Sequence, residues 1–283
     1  MKMKTLIRNL LPPFLTTLCR QCRRPAWRYS GIYATWQEAQ QNARGYDAPE
    51  IIAKVFDATR KVIAGEAVFE RDSLLFQYEE YHYPLLFALY RTAIATGRLH
   101  VLDFGGALGS TFRQHLRLLR AAGCDLSWNV VEQAGFVAAA KRLDLEQELH
   151  FHHSIEEASA HQQIDTILFS SVLQYLEDPS DVLRQAAGFR YLIVDRHPEF
   201  CERTQGLLTV QEVSEPIYDA SYPVRIWGKN ELRDRLKQDY LLRDEWVSEI
   251  DRRQCLKEMN GRRNFIQDIG MFWEKRTGEI DHG

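Results

Sequence analysis

Three acids stand where a parallel sheet keeps its ligands. Asp103, Glu132 and Asp195 each close a short apolar run: Val101-Leu102, Val130-Val131, and Leu192 to Val194. An apolar run of that length bounded by a polar residue reads as a buried strand, and ligands of parallel sheets sit at strand carboxyl ends. Directly after Asp103 come Phe104, Gly105, Gly106, Ala107, Leu108, Gly109 and Ser110, with three glycines within five positions. Such glycines remove side chains that would hold a ligand off the backbone. The helix that follows then presents its free N–H groups to a nucleotide-like ligand. After the last of the three acids, Asp195-Arg196-His197 offers a proton acceptor at Asp195 or His197 and a cation for an acidic part of a substrate; the same triplet equally serves to end a strand.

The elements that must position these groups alternate. Thr111 to Ala122 carries Phe112, Leu116 and Leu119 at helical spacing, with Ser110 or Thr111 as N-cap and Gly123 as stop. Ser127 to Gln133, Gln163 to Ser171 and Tyr191 to Asp195 read as strands, with helices at Gly135 to Leu145 and Ser180 to Ala187 between them. Strands alternating with helices predict an α/β fold with a mostly parallel, Rossmann-like sheet. Lys229 to Leu236 reads as a helix, Tyr240 to Trp246 and Ile269 to Glu274 as strands, completing seven strands with a final antiparallel hairpin. Gln211 to Trp227, holding Tyr218, Tyr222 and Trp227, reads as a long loop and an acceptor wall. Residues 29–97 read mainly as helices (Thr35 to Ala43, Pro49 to Ile63, Tyr83 to Ala95). The expected organisation is a basic arm over 1–28, a helical cap and acceptor region over 29–97, and a cofactor-binding domain over 98–283.

Val101 to Gly109 resembles the first motif of class I S-adenosylmethionine (SAM) dependent methyltransferases. Val130-Val131-Glu132 resembles their ribose-binding motif, and Asp165 to Pro179 the segment around their fourth strand. Ala107 stands where a second glycine is usual and Gln174 where a histidine is common. A wider likeness runs through Gly31-Ile32-Tyr33, Trp36, Gly45-Tyr46-Asp47, Glu70-Arg71-Asp72, Val131-Glu132-Gln133, Val210-Gln211 and Ser221-Tyr222-Pro223. Together these are similar to methyltransferases, assigned mostly by sequence, of bacterial lipopolysaccharide, O-antigen and capsule clusters. The resemblance implies SAM as cofactor, held by Asp103, Phe104, Gly105, Gly106, Ala107, Gly109, Glu132, Gln133, Ser154, Ile155, Ser170 and Gln174. It implies a small-molecule or lipid-linked glycan as acceptor, methylated on oxygen in surface polysaccharide synthesis, with contacts at Arg71, Tyr81, Tyr175 and Tyr222. A catalytically inactive scaffold of a glycan assembly complex and a nicotinamide or nucleotide enzyme stand as alternatives.

The glycines separate these readings. A nicotinamide enzyme brackets a pyrophosphate with G-x-G-x-x-G; Gly105, Gly106 and Gly109 give G-G-x-x-G instead. An acid at the strand end suits a cationic, phosphate-free ligand. Glu70-Arg71-Asp72 is either a fork for a carboxylate, phosphate or sugar, or a surface ion pair of little weight.

A net charge of −3 over 283 residues gives no global attraction to nucleic acid, and no apolar run reaches the length of a membrane span. The first 28 residues hold Lys2, Lys4, Arg8, Arg20, Arg23, Arg24 and Arg28 and no acid, interleaved with Leu6, Ile7, Leu10, Leu11, Phe14, Leu15 and Leu18. That pattern suits peripheral contact with the inner membrane surface, a packing arm, or a signal segment interrupted by Pro12-Pro13. Five cysteines, with Cys19-x-x-Cys22 lacking a second pair, fit a reduced, cytoplasmic protein. His150-Phe151-His152-His153 resembles a metal site in composition, but strand alternation splits it between faces and no metal is expected.

Overall fold

The computed structural model describes residues 27–44, 48–215, 217, 219–248, 250, 254–257 and 261–276. The segment 1–26, Gly45-Tyr46-Asp47, Tyr218, Arg252 and Arg253 lie outside the described residues, and with them most of the basic arm and Cys19 and Cys22. Among the described residues no helix is long and apolar enough to cross a membrane.

The main sheet is built on β4 (Arg98–Phe104), β5 (Asp125–Val131), β6 (Leu149–His152), β7 (Thr166–Ser170) and β8 (Tyr191–Phe200). These five are parallel and run β8-β7-β4-β5-β6 across the sheet. Strand order reverses between β4 and β7, which is where doubly wound sheets open a crevice. On the far side of β8 come the antiparallel strands β13 (Arg263–Lys275) and β11 (Tyr240–Val247). The sheet has eight strands rather than the seven expected. β13 is 13 residues long, so its free edge accepts β11 along Ile269 to Lys275 and β12 (Gln254–Lys257) along Arg263 to Ile266.

The central strands are apolar on both sides because helices cover both faces. Leu102, Ile167, Leu192 and Met271 pack under α6 (Ile155–His161), α7 (Ser180–Ala186) and α8 (Glu231–Leu236). Val101, Leu168, Ile193 and Phe272 pack under α3 (Tyr83–Thr96) and α4 (Ser110–Ala121). Each fully buried Leu, Ile or Phe contributes about 1.5–3 kcal/mol, so this double layer is what holds the strand ends in place. α5 (Ala134–Ala140) and α2 (Ala48–Ile63) pack together beside β5 and β6. α3 shows why sequence sets its limits: Pro84 sits in its first turn, and Gly97 closes it at φ +74°.

The region before the sheet is not only helical. β1 (Trp27–Tyr33) pairs with β9 (Leu207–Val213), which pairs with β10 (Ala220–Ile226) in a three-stranded antiparallel sheet covered by α1 (Trp36–Gln41). The expected loop between Gln211 and Trp227 is therefore mostly strand. Pro223 faces Val210 in β10, an edge strand of this sheet, where a missing N–H costs little. A hairpin of β2 (Phe69–Arg71) and β3 (Leu74–Phe76) turns at Asp72 and Ser73, with φ of 52° and 62°. Both residues occupy the left-handed region that a two-residue hairpin turn requires.

Candidate active site

A cavity of about 660 Å³ lies over the carboxyl ends of β4, β5, β7 and β8, between the main sheet and the three-stranded cap. Asp103 to Ala107, Glu132 and Gln133, Ser170 and Gln174, and Asp195 and Arg196 line it, as do Arg71, Tyr175 and Tyr222. Five of the sequence-derived residues do not. Gly109 is the N-cap of α4 at φ +85° and lies against Leu149. Ser154 caps α6 by accepting from the Glu157 amide at 3.1 Å, Ile155 is in the core, and Tyr81 packs toward His115 with ring centroids 6.3 Å apart. His197 is the fifth.

The glycine turn is shaped by what lies beneath it. A Cβ on Gly106 would come within 2.5 Å of the Asp103 carboxylate, and one on Gly105 within 2.5 Å of Val172. Ala107, in the position of the missing glycine, adopts φ +51° regardless. Asp103 is 1% exposed; burial pushes its carboxyl up to about 7, against the Trp128 indole, which donates to it at 3.1 Å, while nearby Glu132 pushes the same way as burial. The Glu132 carboxylate accepts from the amides of Ala107 at 3.2 Å and Gln133 at 2.8 Å, joining the ends of β4 and β5, and burial raises its carboxyl too. Ile51, Val55 and Phe136 add an apolar wall to the cavity. Gln174, 4% exposed, gives its amide nitrogen to Ser171 at 3.0 Å and leaves Oε1 without a partner.

Two upstream residues take positions that the sequence does not assign: Glu70 reads there only as a flank of the Arg71 fork, and nothing singles out His82. Glu70, 4% exposed, accepts from the Ser110 hydroxyl at the start of α4 and from the Ser73 amide at 3.0 Å. Burial pushes it up to about 7, opposed by the Ser110 contact. The other is His82, whose Nε2 lies 2.9 Å from Asp195 Oδ1. The same oxygen accepts from the Trp246 indole at 3.1 Å. A carboxylate can only accept, so in the neutral ring this bond places the proton on Nε2, which also lies 3.2 Å from the Trp246 indole nitrogen, and leaves Nδ1 as an acceptor. No described residue hydrogen-bonds Nδ1, and His82 lines the cavity. Its backbone amide donates to His115 Nε2 at 3.0 Å, while His115 Nδ1 donates to the Thr111 carbonyl at 2.8 Å. Burial lowers His115 to about 4, so it stays neutral and acts as a fixed strut.

His197, expected as an alternative base, is 1% exposed on β8, does not line the cavity, and packs on Trp227 with ring centroids 5.1 Å apart. Burial lowers it to about 3, and neither ring nitrogen has a partner. Side chains alternate along a strand, so with Asp195 turned to the cavity, a base two residues on would need the same face. The chain twists out of that register at Arg196, whose φ is +52°. Arg196 itself lines the cavity and donates to Asp72 at 3.2 Å. Arg71 lies over the Phe76 ring at 4.9 Å and donates to Glu80 at 3.1 Å. On the cap side, Tyr175 donates to Gln211 at 3.1 Å and meets Tyr222 edge-on at 5.3 Å. The His150, His152 and His161 rings pack together away from the cavity, whereas His153 lines it.

Fold and cavity together define a doubly wound α/β protein with a large cavity at its switch point. No protein-family model matches the chain, and no curated protein matches it. Among solved structures it is similar to coclaurine N-methyltransferase bound to N-methylheliamine and SAH, at 10% identity over 96% of this chain and 92% of that one, with a TM-score of 0.45. It is similar to human N-acetylserotonin methyltransferase in complex with SAM at 12% identity, over 68% of this chain and 51% of that one, with a TM-score of 0.38. The YcgJ protein of Bacillus subtilis matches at 13% identity over 70% of this chain and 100% of that one, with a TM-score of 0.41. At these values the likenesses describe only the course of the chain.

Proposed function

We propose that this chain is a class I SAM-dependent methyltransferase that methylates a hydroxyl of a sugar or glycan-related acceptor. The observation that carries the cofactor is one of charge. Glu70, Asp103 and Glu132 surround the glycine turn, and none has a cationic side chain paired with it among the described residues. Of the acids farther from the turn, Asp72 pairs with Arg196 and Glu80 with Arg71, while Asp195 accepts hydrogen bonds from the His82 ring and the Trp246 indole. Three unmatched carboxylates, Glu70 and Asp103 buried and Glu132 half-buried, repel a pyrophosphate and favour a cation. The cradle at Gly105 and Gly106 and the unpartnered Gln174 Oε1 suit the same ligand.

SAM, when bound, supplies an electrophilic methyl on a sulfonium. The chain's part is to hold the acceptor in line with that methyl, exclude water, and take the hydroxyl proton. His82 Nδ1 is the base in this reading, with Asp195 fixing the tautomer and steadying the charge that forms on the ring. Trp27, Tyr29, Trp36, Tyr175 and Tyr222 supply flat apolar walls, and Gln211 a polar edge, as a sugar ring would need. Arg71 and Arg196 orient polar or acidic substituents of the acceptor. If the acceptor is carried on lipid in surface polysaccharide synthesis, the basic, apolar segment 1–28 serves to hold the enzyme at the inner membrane surface.

Calorimetric titration with S-adenosylhomocysteine tests the reading, beside Gly105→Arg, whose side chain would start inside the Val172 methyl. Saturable binding by the wild type, lost in the variant, is the expected result. Absence of binding at millimolar ligand would overturn the methyltransferase reading and leave the scaffold alternative.

A further inference from the structure

We propose that Glu70 is a cofactor-binding residue: its carboxylate receives the α-ammonium group at the amino-acid end of the cofactor. This rests on the SAM reading above and adds a ligand contact from outside the glycine segment, supplied by the β2–β3 hairpin.

Asp103 and Glu70 reach two ends of one turn. The Asp103 carboxylate lies against Gly106, and the Glu70 carboxylate contacts Ser110 at the first position of α4. Glu132 belongs to the neighbouring strand and is bound up with the amides of Ala107 and Gln133. The cofactor's amino-acid end therefore falls between Asp103 and Glu70, and its ribose toward Glu132. A carboxylate offers about four acceptor positions. Ser110 and Ser73 fill two of those on Glu70, one on each oxygen.

Among the described residues no cationic side chain pairs with this group, and Arg113 opposes its burial only from a distance. Arg71, its neighbour in sequence, gives its charge to Glu80 at 3.1 Å and its face to Phe76. A carboxylate 4% exposed, lining a cavity and lacking a cation is costly to bury. A ligand ammonium at that point removes the cost and holds the group ionised, against the burial that raises it to about 7. The surroundings are rigid enough to aim it. Ser73 Oγ donates to the Ile217 carbonyl at 3.2 Å and Asp72 accepts from Arg196, so the hairpin tip is fixed at two points.

The test is a cycle between residue and ligand group. Wild type and Glu70→Gln are each titrated calorimetrically with S-adenosylhomocysteine and with its deamino analogue, in which hydrogen replaces the α-amino group. A charge-assisted bond in a buried site predicts that the wild type prefers the amine by about tenfold or more, and that Glu70→Gln loses that preference while binding the deamino ligand as before. An unchanged preference in Glu70→Gln overturns the assignment. If that variant unfolds, Glu70→Asp, which keeps the charge and withdraws it by one methylene, must narrow the preference; an undiminished one overturns the assignment equally. Wild type that binds neither ligand overturns the cofactor reading itself, a result distinct from binding both alike, which overturns only the role of Glu70.

Discussion

At the scale of single residues, the proposed base is decided by which histidine meets Asp195. His82 stands 113 positions away in sequence, at the entrance to α3, and reaches Asp195 only because α3 packs on β8 and β13. Nothing local in the sequence signals that meeting. His197 looks better placed on the page, two residues from Asp195, but lies buried against Trp227. Asp103, Glu132 and Gln174 were legible as cavity-lining residues because each belongs to a contiguous strand-end pattern; the meeting of His82 with Asp195 was not, and Glu70 was legible only as a neighbour of Arg71, because both placements come from tertiary packing. Removal of a general base typically costs about 10²–10⁴-fold. His82→Gln should lower kcat with the true acceptor by that order while leaving S-adenosylhomocysteine affinity within about twofold. His197→Leu should keep kcat within a few-fold, since the histidine there is a neutral filler. Full activity in His82→Gln would remove it from the base role, and loss confined to His197→Leu would restore the sequence-based choice.

At the scale of elements, the glycine turn is specified twice, by backbone conformation and by the space the Asp103 carboxylate needs. Gly106 has no positive φ; its need for glycine is purely steric. A methyl there would push on Asp103, which is held by Trp128 and cannot yield without losing that bond. Overpacking of this kind costs about 1–3 kcal/mol. Gly106→Ala should therefore lower the melting temperature and weaken S-adenosylhomocysteine about tenfold or more, with the far-ultraviolet spectrum unchanged. Wild-type affinity in Gly106→Ala would show that Asp103 is not pinned. The strand–turn–helix was readable because its signals are local. The β2–β3 hairpin was not: its turn is Asp72-Ser73, with no glycine or asparagine to announce positive φ. The cap was hidden for another reason. β1 pairs Trp27 with Val213, strands from opposite ends of the chain, and burial along β1 does not follow a clean alternation.

At the scale of the whole molecule, the net charge of −3 conceals how unevenly charge is placed, because Glu70, Asp103 and Glu132, which have no cationic partner among the described residues, line one cavity. Glu70 and Asp103, both raised to about 7, stand near half charge at neutral pH without ligand. Their effect on folding has a definite sign. Raised acids add stability that is fully present below their unfolded values of 4.5 and 3.8 and lost as pH rises through about 7. His115 and His197, lowered to about 4 and about 3, add stability that is present above 6.5 and lost as pH falls. Two groups of each kind oppose one another over the mildly acidic range, so the free protein's stability should vary little there. Ligand binding breaks that balance. The ligand's α-ammonium group favours the ionised carboxylates, so binding must expel their protons, and affinity must rise with pH. S-adenosylhomocysteine should bind more tightly at about pH 8 than at about pH 6, with about one proton released per ligand near pH 7. Calorimetry in two buffers of different ionisation enthalpy counts that proton directly. The count should fall by about half in Glu70→Gln, since one of the two titrating groups is gone. Enthalpies that agree between buffers at every pH would mean that the ligand's positive charge lies away from both carboxylates, and the charge argument for this cofactor would fall with them.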